Sequence, residues 1–376
     1  MFNKYLIALA CAAAAACTAH AAEVKVLGMI DTGLRYQHAS TGTGTSTNTF
    51  DMADGLLDAN RIILTGGEAL RPGTEAGFWL EASYASDTGA MKTAGTLFDR
   101  AGYVWISDRD LGRLSAGVGG FMRSGATLLT YGLTARRISP FGTGWGDLGL
   151  AMYDRPFRGF GLSNMIQYDT PAFAGVSGHF QYSFDAGSEK GAVEGKSSAN
   201  RYASAAMTYD GGKLNLVLMA DMMNESSLHG SRKNAVSVLL GGNYSLDPVT
   251  LFGFATWFNG EDSIMPLPGL SECTPLMGRD DITGTTFSAG MRAPLLSGEF
   301  NLYAARMSAD ADDADATGAH VTRMALVAGW RYELSKQTTF YTAAGWYRDR
   351  TNFTNGAAAF KNPQVQQVFA GIHHNF

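Results

Sequence analysis

Hydrophobic and polar residues alternate along much of this chain. Near the C-terminus, Val368, Ala370 and Ile372 fall on one side of an extended segment, while Gln367 and His373 fall on the other. The same alternation recurs in segments 24–36, 214–222, 236–244 and 323–334. Because successive side chains of a β-strand point to opposite faces, this period predicts strands with one apolar and one polar face. The chain is therefore predicted to be all-β.

Strands of this kind fit either a soluble β-sandwich or a membrane β-barrel. In a sandwich the apolar faces point inward and carry bulky residues throughout. A barrel is favoured here because the strands are about ten residues long or longer, as a tilted membrane strand requires. Aromatic residues near the predicted strand ends also suit the interfacial girdles of a membrane barrel. These residues are Tyr36, Tyr84, Trp105, Tyr168, Tyr202, Tyr244, Trp257, Tyr332 and Trp346.

Short and long connections alternate along the chain. Gly, Pro and Asp dominate the short ones, as tight turns require, at 66–74, 108–111, 169–175, 210–212, 245–248, 294–298 and 334–336. The long ones, rich in small polar residues, lie at 37–56, 87–98, 121–160, 185–198, 224–232, 261–282, 309–319 and 350–362. Seven turns and eight loops predict sixteen antiparallel strands. An even number is typical of outer-membrane barrels, which close because an open edge in lipid leaves backbone groups unpaired.

The first 21 residues are predicted to be a cleaved secretory signal peptide. Lys4 supplies the positive region, an apolar run follows to Cys17, and Ala19-His20-Ala21 has the small-x-small cleavage pattern. The alternative is a short N-terminal core helix. Residues 22–376 are then predicted to form a single barrel domain, with Cys273 as the one cysteine and hence no intramolecular disulfide.

Composition narrows the class of protein further. Of 376 residues, 45% are hydrophobic and 17% are charged, and the 34 acidic residues outnumber the 29 basic ones. A nucleic-acid-binding protein needs a basic face, so this balance argues against that class. A mean hydropathy of −0.06 is too polar for a helical membrane protein. Few charges, many glycines and many aromatic residues suit a large set of strands joined by turns.

Several segments resemble one protein family. These are VKVLGMIDTGLRY from Val24, NRIILTGGEALRPGTEAGFWLEASY from Asn60, FDRAGYVWISDRDLGRLSAG from Phe98, IQYDTPAFAGVSGHFQYSF from Ile166 and the terminal AGIHHNF. Together, in this order, they resemble the general porins of β-proteobacteria over essentially the whole mature chain. The resemblance implies a sixteen-stranded barrel, a homotrimer, and a third long loop (loop 3, 121–160) folded into the lumen as a constriction. It also implies that Phe376 is read by the barrel-assembly machinery.

The chain departs from that family around the predicted constriction. Arg61 is followed by Ile62-Ile63 where the family usually has Trp-Gly, and Gly119-Gly120 stands where a lumen arginine is frequent, with Arg123 displaced. Loop 3 lacks the acidic motif that the family usually carries there. These differences affect pore size and ion preference rather than the fold.

The residues expected to carry the function line the pore, because a channel needs a hydrated lumen and a charge pattern rather than a reaction site. The arginines predicted on the lumen wall are Arg35, Arg61, Arg100, Arg292, Arg323 and Arg331. Asp147 and Asp154 of loop 3 are predicted to oppose them and create a transverse field. Loop 3 also contains Arg136, Arg137, Arg155 and Arg158, and a basic waist favours anions. For each arginine, the alternative is a solvated side chain paired with a carboxylate.

The predicted function is passive diffusion of ions and small hydrophilic solutes through an outer-membrane porin. One alternative is a solute-selective channel lined by the aromatic residues of loop 3, and others are an outer-membrane enzyme or an adhesin. An enzyme is disfavoured because no mature histidine lies in a nucleophile motif, and no metal or cofactor is expected. The expected partners are outer-membrane lipid, lipopolysaccharide, the assembly machinery and two further copies of the chain, but no nucleic acid.

Overall fold

The computed structural model describes residues 23–125, 127–142, 144–145, 148, 161–187, 190–229, 233–270, 281–311, 319–351 and 361–376. The strands are β1 (Glu23–Ser40), β2 (Ser46–Asp54), β3 (Arg61–Arg71), β4 (Thr74–Ser83), β5 (Ala101–Asp108), β6 (Gly112–Gly120), β7 (Gly161–Asp169), β8 (Val176–Ser183), β9 (Arg201–Gly211), β10 (Leu214–Asn224), β11 (Ala235–Ser245), β12 (Thr250–Glu261), β13 (Ile282–Leu295), β14 (Gly298–Ala311), β15 (Ala319–Glu333), β16 (Thr338–Thr351) and β17 (Gln364–Asn375). The predicted signal peptide lies outside the described residues.

Helix is scarce in this structure. The described part of loop 3 contains two single-turn helices, α1 (Leu128–Tyr131) and α2 (Ala135–Ile138), and a 3-10 turn spans Ser227–His229. Of the helices in the described part of the chain, none has the length and apolar character needed to span a membrane.

The sheet closes on itself into a barrel. Each strand pairs antiparallel with its neighbours, and β17 returns to pair with β1 from Met29↔Asn375 to Ser40↔Gln364. Both β2 and β3 pair with β1. The half of β1 near the long loops pairs with β2, and the half near the short turns pairs with β3, so seventeen strand segments fill sixteen positions in the barrel. The prediction of a sixteen-stranded antiparallel barrel is confirmed. Closure pairs the backbone groups of the first and last strands, which would otherwise form open sheet edges.

The two faces of the strands separate as the alternation predicts. Val26, Leu34 and Leu326 are among the large apolar side chains exposed on the outside of the barrel, whereas Asp31 and Arg323 are buried on the inside. A soluble sandwich has the reverse arrangement. Here the apolar exterior suits contact with lipid, and the polar interior suits a hydrated lumen.

Two predicted connections and one predicted girdle residue need correction. Residues 37–56 are not a long loop, because β1 continues to Ser40 and β2 begins at Ser46. The turn placed at 66–74 is confined to Pro72 and Gly73, since β3 extends to Arg71. Tyr202 does not belong to an outer girdle, because it is fully buried on the lumen side. The Gly- and Thr-rich composition of 37–56 suggested a loop, but cross-strand pairing between β1 and β2 holds most of this segment in an extended hairpin.

The terminal residue Phe376 closes the barrel seam at the side of the short turns, which we call the inner side. Its amide donates to the carbonyl of Gly28 at 3.0 Å, and the Gly28 amide donates back at the same distance. The ring lies over Gly28, where a Cβ atom would collide with it. Phe376 thus extends the pairing of the last strand with the first.

Candidate functional site

Loop 3 folds into the lumen and lies along the inner wall of the barrel. Four inward-facing wall glycines each leave room for a loop side chain: Gly241 for Ile138, Gly290 for Pro140, Gly329 for Trp145 and Gly345 for Leu148. At Gly329 an added Cβ atom would come within 2.7 Å of the Trp145 ring and 2.9 Å of Phe141. These glycines lie on β11, β13, β15 and β16, so the described part of loop 3 follows the wall instead of crossing the lumen.

Aromatic packing holds loop 3 against that wall. Phe141 contacts Trp145 edge-on, with ring centroids 5.2 Å apart, and also meets Tyr303 of β14. Trp145 packs edge-on against Tyr341 of β16 at 6.1 Å. Phe141 and Trp145 are both buried. These rings therefore support the loop, and they present little surface to a passing solute.

Arg123 anchors the start of loop 3. Its Nε donates to Oδ2 of Asp221 at 2.6 Å, and its Nη1 donates to Oε1 of Glu261 at 2.6 Å. The hydroxyls of Tyr202 and Ser237 donate to the same Asp221 carboxylate. Burial disfavours the charge, but the attraction of the two carboxylates prevails and raises the pKa of Arg123 well above its ordinary value. Sequence reasoning missed this group; an acidic residue on the inward face of an apolar strand was its signal.

A short insert, 55–60, interrupts the second barrel strand between β2 and β3 and holds the far part of loop 3. The buried Asp31 carboxylate accepts the amides of Leu56 at 2.8 Å and Leu57 at 3.2 Å. It also accepts the Tyr341 hydroxyl at 2.5 Å. The Leu57 carbonyl in turn accepts the amide of Trp145 at 2.7 Å. Asp31 thus positions the insert, and the insert positions loop 3. Neither was predicted, because a six-residue insert resembles any polar connection in sequence.

Two of the predicted arginines share one carboxylate on the wall formed by β3 to β5. Arg61 Nη1 lies 3.1 Å from Glu81 Oε1, and Arg100 Nε lies 2.6 Å from the same atom. Trp79 Nε1 donates to the other oxygen at 3.0 Å. Arg61 also pairs with Asp58 of the insert at 2.5 Å. Both guanidinium groups are largely buried, so their charges are satisfied within the wall.

Two further predicted arginines lie towards the long loops, which we call the outer side. Arg323 pairs with Asp349 through two contacts of 2.7 Å, and its Nη1 donates to the Met265 carbonyl at 2.8 Å. Its side chain is only 1% exposed. Arg35 pairs with Asp51 at 2.7 Å and is partly exposed. Arg323 therefore fixes the start of the sixth long loop to the wall, and Arg35 joins β1 to β2.

On the inner side the arginines are less completely neutralised. Arg331 lies 3.0 Å and Arg292 lies 3.1 Å from the same oxygen of Glu299. Arg292 also donates to the Pro140 carbonyl at 2.6 Å and lies over the Phe252 ring at 5.2 Å. Two guanidinium groups on one carboxylate leave an excess of positive charge facing the lumen.

Loop 3 adds positive charge to this inner side. Arg137 pairs with Asp210 of β9 at 2.6 Å and 3.0 Å. Arg136 is exposed, and no carboxylate of the described residues lies within 4.0 Å of it. Three other predicted site residues, Asp147, Asp154 and Arg155, lie outside the described residues.

Two cavities lie beside loop 3 on the inner side. The central cavity, about 310 Å³, is lined by residues including Arg61, Tyr131, Phe141, Trp145, Arg331 and Lys336. The Arg136 pocket, about 430 Å³, is lined by residues including Arg136, Arg137, Asp210, Asn215, Asn243 and Arg292. Together their walls carry six cations (Arg61, Arg136, Arg137, Arg292, Arg331 and Lys336) and three carboxylates (Asp58, Asp210 and Glu333). Burial raises the pKa of the Tyr131 phenol, which therefore adds no negative charge near neutral pH.

Comparisons with known proteins agree with this architecture. The family model of the Gram-negative porins matches residues 8–352. An outer membrane porin of Bordetella pertussis is 27% identical over 405 residues, covering all of both chains. Outer membrane porin protein 32 of Delftia acidovorans is 28% identical, covering 98% of this chain and 94% of its own.

Solved structures share the fold. The anion-selective porin from Comamonas acidovorans has a TM-score of 0.71 and 23% identity, covering 95% of this chain and 100% of its own. The trimer form of OmpT from Vibrio cholerae has a TM-score of 0.61 and 13% identity, with 95% and 100% coverage. With its closed barrel, inward loop and matching family model, this chain belongs to the Gram-negative porins, outer-membrane channels for the passive diffusion of small solutes.

Proposed function

We propose that this porin prefers anions and that the inner side of loop 3 sets the preference. The observation that carries the proposal is the excess of positive charge around the two cavities beside loop 3: six cations and three carboxylates line them, and the balance stays positive when Glu81 and Glu299, which pair with the lining arginines from behind, are counted. A lumen wall with one sign of charge raises the local concentration of counter-ions and lowers the barrier to their passage. Chloride and small organic anions are therefore the favoured solutes.

The predicted arginines fall into three groups in this proposal. Arg136 and Arg331 act on solutes, because they line the cavities and have no carboxylate of their own among the described residues, and Arg137, which is paired with Asp210, lines the same pocket as Arg136. Arg100 and Arg323 support the wall and the sixth loop, because each is buried against a carboxylate. Arg35 and Arg61 lie between these extremes, since both are paired but Arg61 also lines the central cavity. The structurally similar porin from Comamonas acidovorans is anion-selective, which supports the same preference here.

The test is the reversal potential of the refolded protein in a planar bilayer under a potassium chloride gradient. We expect the sign that marks chloride as the more permeant ion. Arg331→Gln is expected to reduce the preference, whereas Arg109→Gln, which removes an exposed arginine paired with its neighbour Asp110, is expected to leave it unchanged. A potassium-selective reversal potential in the unmodified protein would overturn the proposal.

We further propose that the mature protein begins after residue 21, is inserted by the barrel-assembly machinery through its terminal Phe376, and assembles as a homotrimer surrounded by lipid and lipopolysaccharide. The proposal assigns the protein no enzymatic reaction. The trimer form of OmpT supports the assembly state. Chemical cross-linking in vesicles is expected to yield a species of three chains, and conductance is expected to close in three steps. A single step per insertion and an uncross-linked chain would contradict the trimer.

A further inference from the structure

The Arg136 pocket has the features of a ligand site and not only of a charged wall. It lies between α2 of loop 3 and the inner ends of β9 to β13. Its lining includes three arginines (Arg136, Arg137 and Arg292) and one carboxylate (Asp210). Ligand sites are concave and carry a few convergent polar groups. This pocket has a volume of about 430 Å³, which suits a small solute.

Hydrogen bonds fix one side of the pocket before any solute arrives. Asn215 Nδ2 donates to Asn243 Oδ1 at 2.9 Å, and Asn243 Nδ2 donates to the Arg137 carbonyl at 3.0 Å. The Arg137 side chain is held by both oxygens of Asp210. Groups that are already ordered lose little entropy when a solute binds. Loop 3 and the wall are therefore joined here in one defined arrangement.

Three other groups in the lining of the pocket are donors that are not otherwise used. In the part of the chain that the structure describes, neither the Arg136 guanidinium nor the Thr250 hydroxyl has a hydrogen-bond or ion-pair partner. The hydroxyl of Ser245 has none in the same residues. An arginine binds a carboxylate or phosphate through two parallel hydrogen bonds, and hydroxyls add further donors. These groups suit an oxyanion.

We propose that the Arg136 pocket is a binding site for small oxyanions with two negative charges, such as dicarboxylates and phosphate. Arg137 is matched by Asp210, Arg292 shares the single charge of Glu299 with Arg331, and Arg136 is unmatched among the described residues, so these four arginines and two carboxylates leave two positive charges at the pocket. Arg136 binds one end of the solute, and Thr250 with Ser245 donate to it. This inference rests on the proposed anion preference and extends it, because it specifies the class of anion that binds on the inner side of loop 3.

The experiment is a titration of single-channel chloride current with succinate, and separately with phosphate, added on the inner side. We expect a saturable reduction of the current, at lower concentration for succinate than for the monoanion acetate. Arg136→Gln is expected to raise the half-saturating concentration about tenfold, the loss of one charged hydrogen-bonding partner. Arg109→Gln is the matched control, because it removes the same charge outside the pocket.

Thr250→Val separates a defined site from a general electrostatic effect. It removes a hydroxyl at nearly constant volume and leaves every charge in place, so the half-saturating concentration is expected to rise severalfold while the reversal potential stays unchanged. A current that falls linearly with succinate, or half-saturation that is the same in both pocket variants and the control, would overturn the site. Chloride preference without saturable block would contradict the binding site but not the proposed anion preference. Potassium preference with saturable succinate block would contradict the anion preference but not the binding site.

Discussion

The arginines on the two sides of loop 3 have the same chemistry but opposite surroundings. On the outer side, Arg123 and Arg323 are buried and each is bound by both oxygens of a carboxylate of its own. On the inner side, Arg292 and Arg331 share Glu299 and remain about one-third exposed, at 33% and 36%. A buried charge must be fully paired, whereas a wet wall tolerates an excess. The outer arginines are therefore structural, and the inner ones are free to act on ions.

Removing a buried outer arginine is expected to have the largest effect on stability. Arg323→Met leaves Asp349 buried without its partner, so we expect the free energy of unfolding to fall by about 3–5 kcal/mol. Urea unfolding of the folded protein in lipid vesicles measures this change. The double variant Arg323→Met with Asp349→Leu removes both charges and is expected to recover most of the loss. Equal destabilisation by the single and double variants would show that the pair is not the cause.

The next largest effect is expected at Gly329, where loop 3, which separates the two sides, packs against the wall. Gly329→Ala places a Cβ atom against Trp145 and Phe141, so loop 3 must shift from the wall. Overpacking of this kind costs about 1–3 kcal/mol, and the displaced loop is expected to change single-channel conductance measurably. Gly102→Ala is the matched control on β5, because its nearest neighbour would be 3.8 Å away. An unchanged conductance in Gly329→Ala would mean that this glycine does not position the loop.

On the inner side, removing two arginines is expected to change ion selectivity more than stability. Arg292→Gln with Arg331→Gln removes two charges from partly exposed positions, so stability is expected to change by less than about 1 kcal/mol. A unit charge near an ion in water contributes about 1 kcal/mol, so the ratio of anion to cation permeability is expected to fall roughly fivefold or more. Reversal potentials measure the ratio. A large loss of stability with unchanged selectivity would reverse the roles assigned to the two sides.

The smallest effect is expected at Arg35, which lies on the outer side but is partly exposed. Its pair with Asp51 is partly exposed to water, with 23% and 33% of the two side chains exposed. Arg35→Gln is therefore expected to lower the free energy of unfolding by only about 0.2–1 kcal/mol. The same urea titration that is used for Arg323→Met provides the measurement. A loss as large as that of Arg323→Met would show that position along the lumen, and not burial, determines the role.

The sequence by itself determined the class of fold. Alternation with a period of two places one set of residues outside and the other inside, whatever the neighbouring strand is. It places Arg323 and Arg331 on the polar face of one strand. The alternation of short and long connections adds the number of strands, sixteen, which the closed barrel confirms. Side-chain direction and the composition of the connections are both local properties, so the sequence is sufficient for these inferences.

Only the tertiary structure decided which arginines pair and which remain open. Arg123 and Asp221 are 98 positions apart, and Asp31 and Tyr341 are 310 apart, so no local pattern reveals that they meet. Alternation gives the face of a residue but not its height in the barrel or the loop that folds over it. Those depend on strand register, curvature and the path of loop 3, which closure of the whole barrel fixes together. The role of each charge follows from the burial that results.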